Sequence, residues 1–123
     1  MATFAFLCDS RTEKECFEKQ LVGTTQANAV WAASIQRGDT LFLYNFHSGF
    51  VHGPLAASGK ADLHDPHAWG AQFPIQVRFE KLDATRSVRA ADVASSSTLK
   101  VLRRGGPLTE TMLKEVLSDA NMK

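Results

Sequence analysis

Cysteine is scarce in this 123-residue chain, and long apolar runs are absent. The two cysteines, Cys8 and Cys16, are too few for the disulfide framework of a small secreted protein, so we predict two buried free thiols. No apolar run approaches the roughly 20 residues that span a bilayer, and the first residues lack the pattern of a signal peptide. The sequence therefore predicts a soluble, cytoplasmic protein with no membrane partner.

Sequence motifs of catalysis are also missing. The chain has no G-x-S-x-G nucleophile motif and no glycine-rich phosphate-binding loop. His64 and His67 lie three residues apart with Asp62 nearby, and such a group could ligate zinc. Because Pro66 separates the two histidines and the segment has no cysteine, we predict solvated loop histidines. We expect no metal, no other cofactor and no enzymatic activity.

Charge is distributed unevenly along the chain, although the net charge is only +1. Residues 1–77 carry five basic and seven acidic side chains, a net charge of −2. Residues 78–104 carry seven basic and three acidic side chains, a net charge of +4. This basic stretch predicts a surface for an anionic partner, with a solvated loop face as the alternative. The length suits one domain, which we expect to cover residues 1–123.

Apolar runs and alternating patterns predict several strands. Residues 75–82 alternate apolar and polar side chains, as in a strand with one wet face. Gly53 and Pro54 predict a bulge or an edge, because proline cannot donate to the ladder and glycine weakens it. The predicted strands are 3–8, 41–46, 50–57 and 75–82, with a weaker strand at 87–93 and a short strand or turn at 98–102.

Helical signals lie between and after these strands. Thr12 and Glu15 have the spacing of a capping box, and Phe17 and Leu21 form an apolar i, i+4 pair. Gly23 is a plausible end for this helix. The predicted helical segments are 12–21, a turn or two within 27–34, and an amphipathic helix at 109–120. Strands and helices without βαβ alternation predict an α+β fold on a small curved or closed sheet.

The order of these segments and several phrases resemble a known family. The phrases are FLCDSRTEKECFEKQLVG, RGDTLFLYNF, FVHGPLAASGKAD and QFPIQVRFEKL. They resemble the DCD (development and cell death) domain of the PUA-like superfamily, which is related to EVE and YTH domains. The resemblance covers most of the chain. It implies a PUA-like curved β-barrel of mostly antiparallel strands with two or three packed helices.

Trp31 and Trp69 are the only tryptophans, and both lie outside the predicted strands. Their surroundings resemble two cage positions of the YTH domain, which reads N6-methyladenine in RNA. The resemblance implies a pocket in which the two rings stack on a base. Where YTH domains place a Lys-Ser pair after the first strand, this chain has Asp9-Ser10, which suits a ligand with an exocyclic amine or a positive charge. Alternatively, both tryptophans are partly buried and cover the barrel mouth.

Three hypotheses about function follow. Our prediction is a non-catalytic module that recognises a modified base or nucleotide in nucleic acid. The alternative is a protein-interaction or stress-signalling module of the DCD type, and the third hypothesis is an enzyme. For the prediction, the pocket residues are Trp31, Trp69, Asp9, Ser10 and Asn28, and the residues on the nucleic-acid phosphates are Arg103 and Arg104.

Overall fold

One six-stranded sheet forms the centre of the molecule in a computed structural model that describes residues 1–117. The strands are β1 (Thr3–Cys8), β2 (Leu21–Thr24), β3 (Thr40–Asn45), β4 (Phe50–Ala57), β5 (Ile75–Arg89) and β6 (Gly106–Leu108). Their spatial order is β2-β5-β4-β3-β1-β6. β1 and β3 are parallel, and the other neighbouring strands are antiparallel. This mixed, mostly antiparallel half-barrel confirms the predicted α+β fold.

Short helices connect and cover the strands. They are α1 (Glu13–Lys19), α2 (Ala29–Ala32), α3 (Ala90–Val93), α4 (Ser96–Arg104) and α5 (Glu110–Leu117), with 3₁₀ turns at Gln26–Asn28 and Ala68–Ala71. α2 lies in the predicted helical turn 27–34. α5 begins within one residue of the predicted helix 109–120, whose last three residues lie outside the described part. Within residues 1–117, no helix has the length and apolar character needed to cross a membrane.

Two apolar clusters lie on opposite faces of the sheet, because successive strand residues point to opposite sides. Phe4 and Phe6 of β1 belong to the cluster that also holds Val77 and Phe79 of β5. Ala5, between them, belongs to the second cluster. The second cluster includes buried residues of α3, α4 and α5, among them Ala90, Val101, Leu102 and Val116. Helices therefore lie on both faces, since Cys16 of α1 and Ala32 of α2 belong to the first cluster and α3, α4 and α5 cover the second.

The predicted strands are largely confirmed. The observed bounds match 3–8 and 50–57, and β3 lies one residue earlier than 41–46. β5 begins at Ile75 but runs past residue 82 to Arg89. Gly53 and Pro54 of β4 together lie opposite Phe42 of β3, where the register shifts, and this confirms the predicted bulge. The register of β4 against β5 also shifts between Gly53 and Leu55, and there the extra residues belong to β5. Cys8 and Cys16 are buried free thiols, as predicted.

The predicted extent of the first helix is wrong. α1 ends at Lys19, and Gln20 adopts a left-handed conformation with φ of 52°. Leu21 and Gly23 belong to β2, which pairs with β5. Pairing with the distant strand β5 therefore decides the conformation of Leu21 and Gly23, and a local i, i+4 pattern cannot reveal such pairing.

The predicted capping box is also not formed. The Thr12 side chain makes no hydrogen bond to the first turn of α1. Asp9 acts instead on the turn before the helix, where its Oδ1 accepts from the backbone N–H of Thr12 at 2.9 Å. The Glu15 carboxylate accepts from the backbone N–H of Trp69 at 2.9 Å, so a tertiary contact replaces the local one.

Two predictions in the C-terminal third are wrong. The strand expected at 87–93 ends at Arg89 and continues as α3. The strand or turn expected at 98–102 lies inside α4, where Ser95 caps the helix by accepting from the N–H of Thr98 at 3.4 Å. Thr98, Val101 and Leu102 are buried at helical spacing. The apolar residues of this run therefore lie on the face of α4 that packs against the sheet.

Candidate functional site

A cavity of about 340 Å³ lies at the carboxyl end of β1, and we refer to it as the β1 cavity. Its volume falls in the range of roughly 300–1,000 Å³ that is usual for small-molecule sites. The wall combines the turn after β1 with β2, the following 3₁₀ turn, the residue after β3 and the segment before β5. The lining includes Leu7, Cys8, Asp9, Arg11, Thr12, Gly23, Thr24, Thr25, Asn28, Phe46, Gln72 and Phe73.

Asp9 presents a fixed carboxylate in this wall. Its Oδ1 accepts from the backbone N–H groups of Arg11 and Thr12, each at 2.9 Å, and from the Thr12 hydroxyl at 3.2 Å. Its Oδ2 lies 3.3 Å from the Arg11 guanidinium. These bonds, above all that from the Thr12 N–H, lower the pKa of Asp9 below its ordinary value. The cavity therefore contains an anion at neutral pH, as expected from the Asp9-Ser10 pair.

Asn28 connects the cavity to Trp31. Its side-chain amide donates to the Thr24 hydroxyl at 2.7 Å, and its Oδ1 accepts from the Trp31 indole N–H at 3.2 Å. The half-buried Trp31 ring stacks on Phe4 with centroids 5.9 Å apart and meets the edge of Phe6 at 5.3 Å. Trp31 thus supports the cavity wall through Asn28 and is not part of the lining.

Trp69 lies behind the wall formed by β2 and is only 6% exposed. Its ring contacts Phe73 edge to face, with centroids 5.5 Å apart, and covers Gly23. The indole N–H is buried without a hydrogen-bond acceptor at normal distance in the described part of the chain. The structure therefore places neither tryptophan in the lining, and the direct ligand contact predicted for them stays a prediction.

Phe46 and Phe73 are the aromatic residues of the lining, and our sequence reasoning missed both. Phe46 follows β3 and is 56% exposed, whereas Phe73 is half-buried beside Trp69. An exposed phenylalanine directly after a strand is a weak signal for a site. Nothing in the sequence places it in the same cavity as Phe73, which is 27 positions away.

Cys8 is the one thiol in the cavity lining, and its surroundings keep it protonated. Burial is the largest cause of the raised pKa of Cys8, and nearby Cys16 and carboxylates raise it further. Burial also raises the pKa of Cys16 to about 12, although an interaction with the Trp69 indole acts in the opposite direction. A thiol that stays protonated at neutral pH is a poor nucleophile. The other lining residues supply hydrogen-bonding groups and aromatic surface.

The remaining predicted residues lie at the surface. Ser10 is exposed in the turn after β1, outside the lining. Arg103 and Arg104 are exposed in the last turn of α4. Gly105, which follows them, lies against Leu7 of the cavity wall, since a Cβ on this glycine would be 3.5 Å from Leu7 Cγ. The two arginines therefore end a helix that points toward the side of β1 next to the cavity.

The histidine segment forms part of the loop that precedes β5. The backbone N–H groups of His64 and Asp65 donate to the Gln76 side chain at 2.9 and 2.7 Å. Asp65 also pairs with Lys19 at 2.7 Å. Among residues 1–117, no three His, Cys, Asp or Glu side chains are grouped to hold a metal ion. The segment thus fixes the loop before β5 to Gln76 and to Lys19.

Sequence comparison identifies the family. The model of the Development and cell death domain matches residues 2–123. The B2 protein of Daucus carota is 31% identical over 83 residues, which cover 61% of this chain and 40% of that protein. The match thus spans about two fifths of the length of this curated relative.

Two solved YTH domains have a similar fold. The MmI1 YTH domain superposes with a TM-score of 0.69 at 10% identity, covering 95% of this chain and 92% of that domain. The YTH domain of the Zygosaccharomyces rouxii MRB1 protein, solved in complex with N6-methyladenosine RNA, has a TM-score of 0.63 at 15% identity. Coverage there is 94% of this chain and 84% of that domain. At these identities the likeness establishes the fold alone.

Proposed function

Because the chain belongs to the family of development and cell death domains and has the fold of YTH domains, we propose that it is a non-catalytic module that binds a modified base or nucleotide of a nucleic acid. The observation that carries this proposal is the β1 cavity. It combines an ionised carboxylate with two phenylalanine rings in a fold shared with a domain solved with N6-methyladenosine RNA.

Each group in the cavity has a role in this proposal. Phe46 offers an exposed ring on which a base can stack, and Phe73 offers a second apolar surface. Stacking on an aromatic side chain contributes roughly 1–3 kcal/mol per base. The Asp9 carboxylate accepts from an exocyclic amine or attracts a positively charged base. Asn28 adds an amide to the lining. Ser10 would add a hydroxyl at the exposed edge.

The supporting residues act through the lining or on the nucleic-acid backbone. Trp31 holds Asn28, and Trp69 holds Phe73 and the strand at Gly23. The direct stacking of Trp31 or Trp69 on the ligand, which the sequence predicted, remains part of this proposal. Arg103 and Arg104 are the proposed phosphate contacts, because they are exposed and cationic at the end of α4.

A titration of labelled oligonucleotides tests the proposal. The panel contains single-stranded and duplex oligonucleotides with N6-methyladenine, the cationic bases N1-methyladenine and 7-methylguanine, or no modification. We expect preferential binding of a modified single strand, because an unstacked base can enter the cavity. Phe46→Ala should weaken it by roughly 5- to 150-fold, equivalent to roughly 1–3 kcal/mol.

Phe50→Ala is the matched control, since Phe50 is partly exposed, contacts Arg89 and lies outside the cavity lining. Its affinity for the oligonucleotides should equal that of the wild type. Equal losses in both variants, or no binding by the wild type at any salt concentration, would contradict a base-binding role for the β1 cavity.

A protein-interaction module is the second candidate, and exposed apolar residues favour it. Val30 and Leu63 are 89% and 51% exposed. Leu63 borders a shallow groove of about 270 Å³, which is also lined by Ala29, Ala33, Ala61, Asp62, Pro74 and Ile75. Apolar contacts depend little on salt, whereas phosphate contacts weaken steeply with salt. A partner whose affinity is salt-independent and falls in Val30→Ser would support this second function.

A further inference from the structure

A second cavity, of about 200 Å³, lies between α1 and the β4–β5 pair, and we refer to it as the β5 cavity. Two of its lining residues are basic, one is a histidine and two carry hydroxyl groups. Among residues 1–117, no carboxylate belongs to this lining. The residues are Phe17, His52, Lys81, Thr85, Arg86 and Ser87.

The bulge in β5 brings Lys81 and Arg86 together. Lys81 is opposite Leu55 and Arg86 is opposite Gly53, so residues 82–85 face Pro54 alone. In a regular strand, residues five positions apart are separated by about 17 Å, whereas positions two apart on the partner strand are separated by about 7 Å. Both cations can therefore reach the same cavity.

Thr85 ties this bulge to both strands. Its hydroxyl accepts from the Leu82 N–H at 2.8 Å and donates to the Pro54 carbonyl at 2.6 Å. The Arg86 guanidinium donates to the Leu117 carbonyl at 2.9 Å and lies 3.4 Å from that of Val116. The end of α5 thus holds the arginine at the wall of the cavity.

Contacts among the remaining side chains order the other wall. The Lys81 ammonium lies 5.2 Å from the centre of the Phe17 ring, and Phe17 meets His52 edge to face at 5.2 Å. His52 Nδ1 lies 2.5 Å from the Ser87 hydroxyl, and its Nε2 bonds to Glu13. Glu13 also accepts from the Asn45 amide at 3.2 Å. This nearby carboxylate is therefore engaged by His52 and Asn45, behind the lining.

We propose that the β5 cavity binds a phosphate group, on a nucleic-acid strand whose modified base occupies the β1 cavity. Lys81 and Arg86 match a tetrahedral oxyanion, which takes charge-assisted hydrogen bonds from several directions. The Thr85 hydroxyl, whose proton goes to the Pro54 carbonyl, fixes the bulge that brings the two cations together. The first turn of α1 separates the two cavities: Thr12 lines the β1 cavity, and Glu13 contacts His52 of the β5 cavity. The placement of a nucleic-acid strand across both cavities rests on the proposed function, whereas phosphate binding by the β5 cavity does not.

Titration of the wild type with sodium phosphate tests the cavity itself. Backbone amide resonances of residues 81–87 are followed by NMR, with sodium chloride added to keep the ionic strength constant. We expect saturable shifts in the wild type and in Lys60→Ala, which removes an exposed lysine outside the lining. Lys81→Ala should lose the shifts, and Lys81→Arg should retain them. Amide shifts that do not saturate with phosphate concentration, or that are unchanged in Lys81→Ala, would overturn the proposal.

A second titration tests the strand placement. It compares a trinucleotide, carrying the modified base that the oligonucleotide panel selects, with the corresponding nucleoside, which has no phosphate. Lys81→Ala should weaken trinucleotide binding, reduce its salt slope by about one and leave nucleoside binding unchanged. If the nucleoside binds and Lys81→Ala leaves the trinucleotide affinity unchanged, only the placement of the phosphate in the β5 cavity is refuted.

If the wild type binds phosphate but neither nucleoside nor trinucleotide, the proposed function and the placement of the nucleic-acid strand both fail. Tighter binding of a phosphoserine peptide than of the trinucleotide would also overturn the placement.

Discussion

The indole ring of Trp69 lies directly on the backbone of Gly23. A Cβ atom on this glycine would be 2.6 Å from Trp69 Cζ3 and 2.8 Å from the Cβ of Phe73. Gly23 is therefore required because β2 and the segment before β5 approach each other closely at the back of the β1 cavity. The same contact positions Phe73, which lines that cavity.

Gly23→Ala should destabilise the protein by roughly 1–3 kcal/mol, because the added methyl group overpacks a site enclosed by two aromatic side chains. Urea unfolding measures the change in the free energy of unfolding. Gly59→Ala is the control, since nothing lies within 4 Å of its Cβ position. Equal stability of the Gly23 variant and the wild type would show that the contact is looser than described.

Trp31→Ala should lower the free energy of unfolding by about 3 kcal/mol, the lower end of the cost of truncating a packed aromatic residue. Trp31→Phe keeps a ring against Phe4 and Phe6 but loses the N–H that holds Asn28. We expect it to cost less stability and still weaken oligonucleotide binding. Thermal melts and titrations measure the two effects. If Trp31→Ala keeps its stability and loses binding, the ring contacts the ligand directly.

Asp9→Asn should destabilise the protein at neutral pH, and the difference from the wild type should shrink in acid. Bonds from the backbone lower the pKa of Asp9 in the folded state. Its carboxylate therefore stabilises the fold above the ordinary value of about 3.9, and this contribution is lost as pH falls through the lower folded-state pKa. Urea unfolding between pH 7 and pH 2.5 measures it, with exposed Asp83→Asn as the control. A difference independent of pH would contradict this account.

Removal of both Arg103 and Arg104 should weaken binding to all nucleic-acid sequences alike. The slope of log K against log salt should fall by about two, because two phosphate contacts are lost. The control is the double variant Arg37→Ala, Lys60→Ala, which changes the net charge equally outside the basic stretch. Titrations at several salt concentrations measure the slope. An unchanged slope in the Arg103, Arg104 variant would assign these arginines to a solvated surface.

Local patterns were sufficient for much of the sheet. The apolar run at 3–8 predicted β1, which is buried on both faces. The alternation at 75–82 predicted the first half of β5, because a strand places alternate residues on opposite faces. The helix at 98–102 was missed. Its apolar residues suit either a strand or a helix in so short a run, and the Ser95 cap with burial on the sheet selects the helix.

The candidate site was only partly predictable for a related reason. Asp9 and Asn28 were identified from the sequence and line the β1 cavity. Phe46 and Phe73 meet there because the residue after β3 and the segment before β5 converge on the end of β1. Such convergence depends on strand order, which no single segment encodes.

The sequence by itself determined the strand periodicity, the buried thiols, the basic stretch and the resemblance to a family. Each of these depends on residue type and local spacing. Only the tertiary structure decided that Trp69 lies behind the wall of the β1 cavity and that Lys81 and Arg86 share the β5 cavity. The physical reason is that cross-strand register and the shift at Gly53 set these distances, and both arise from pairing between segments far apart in the chain.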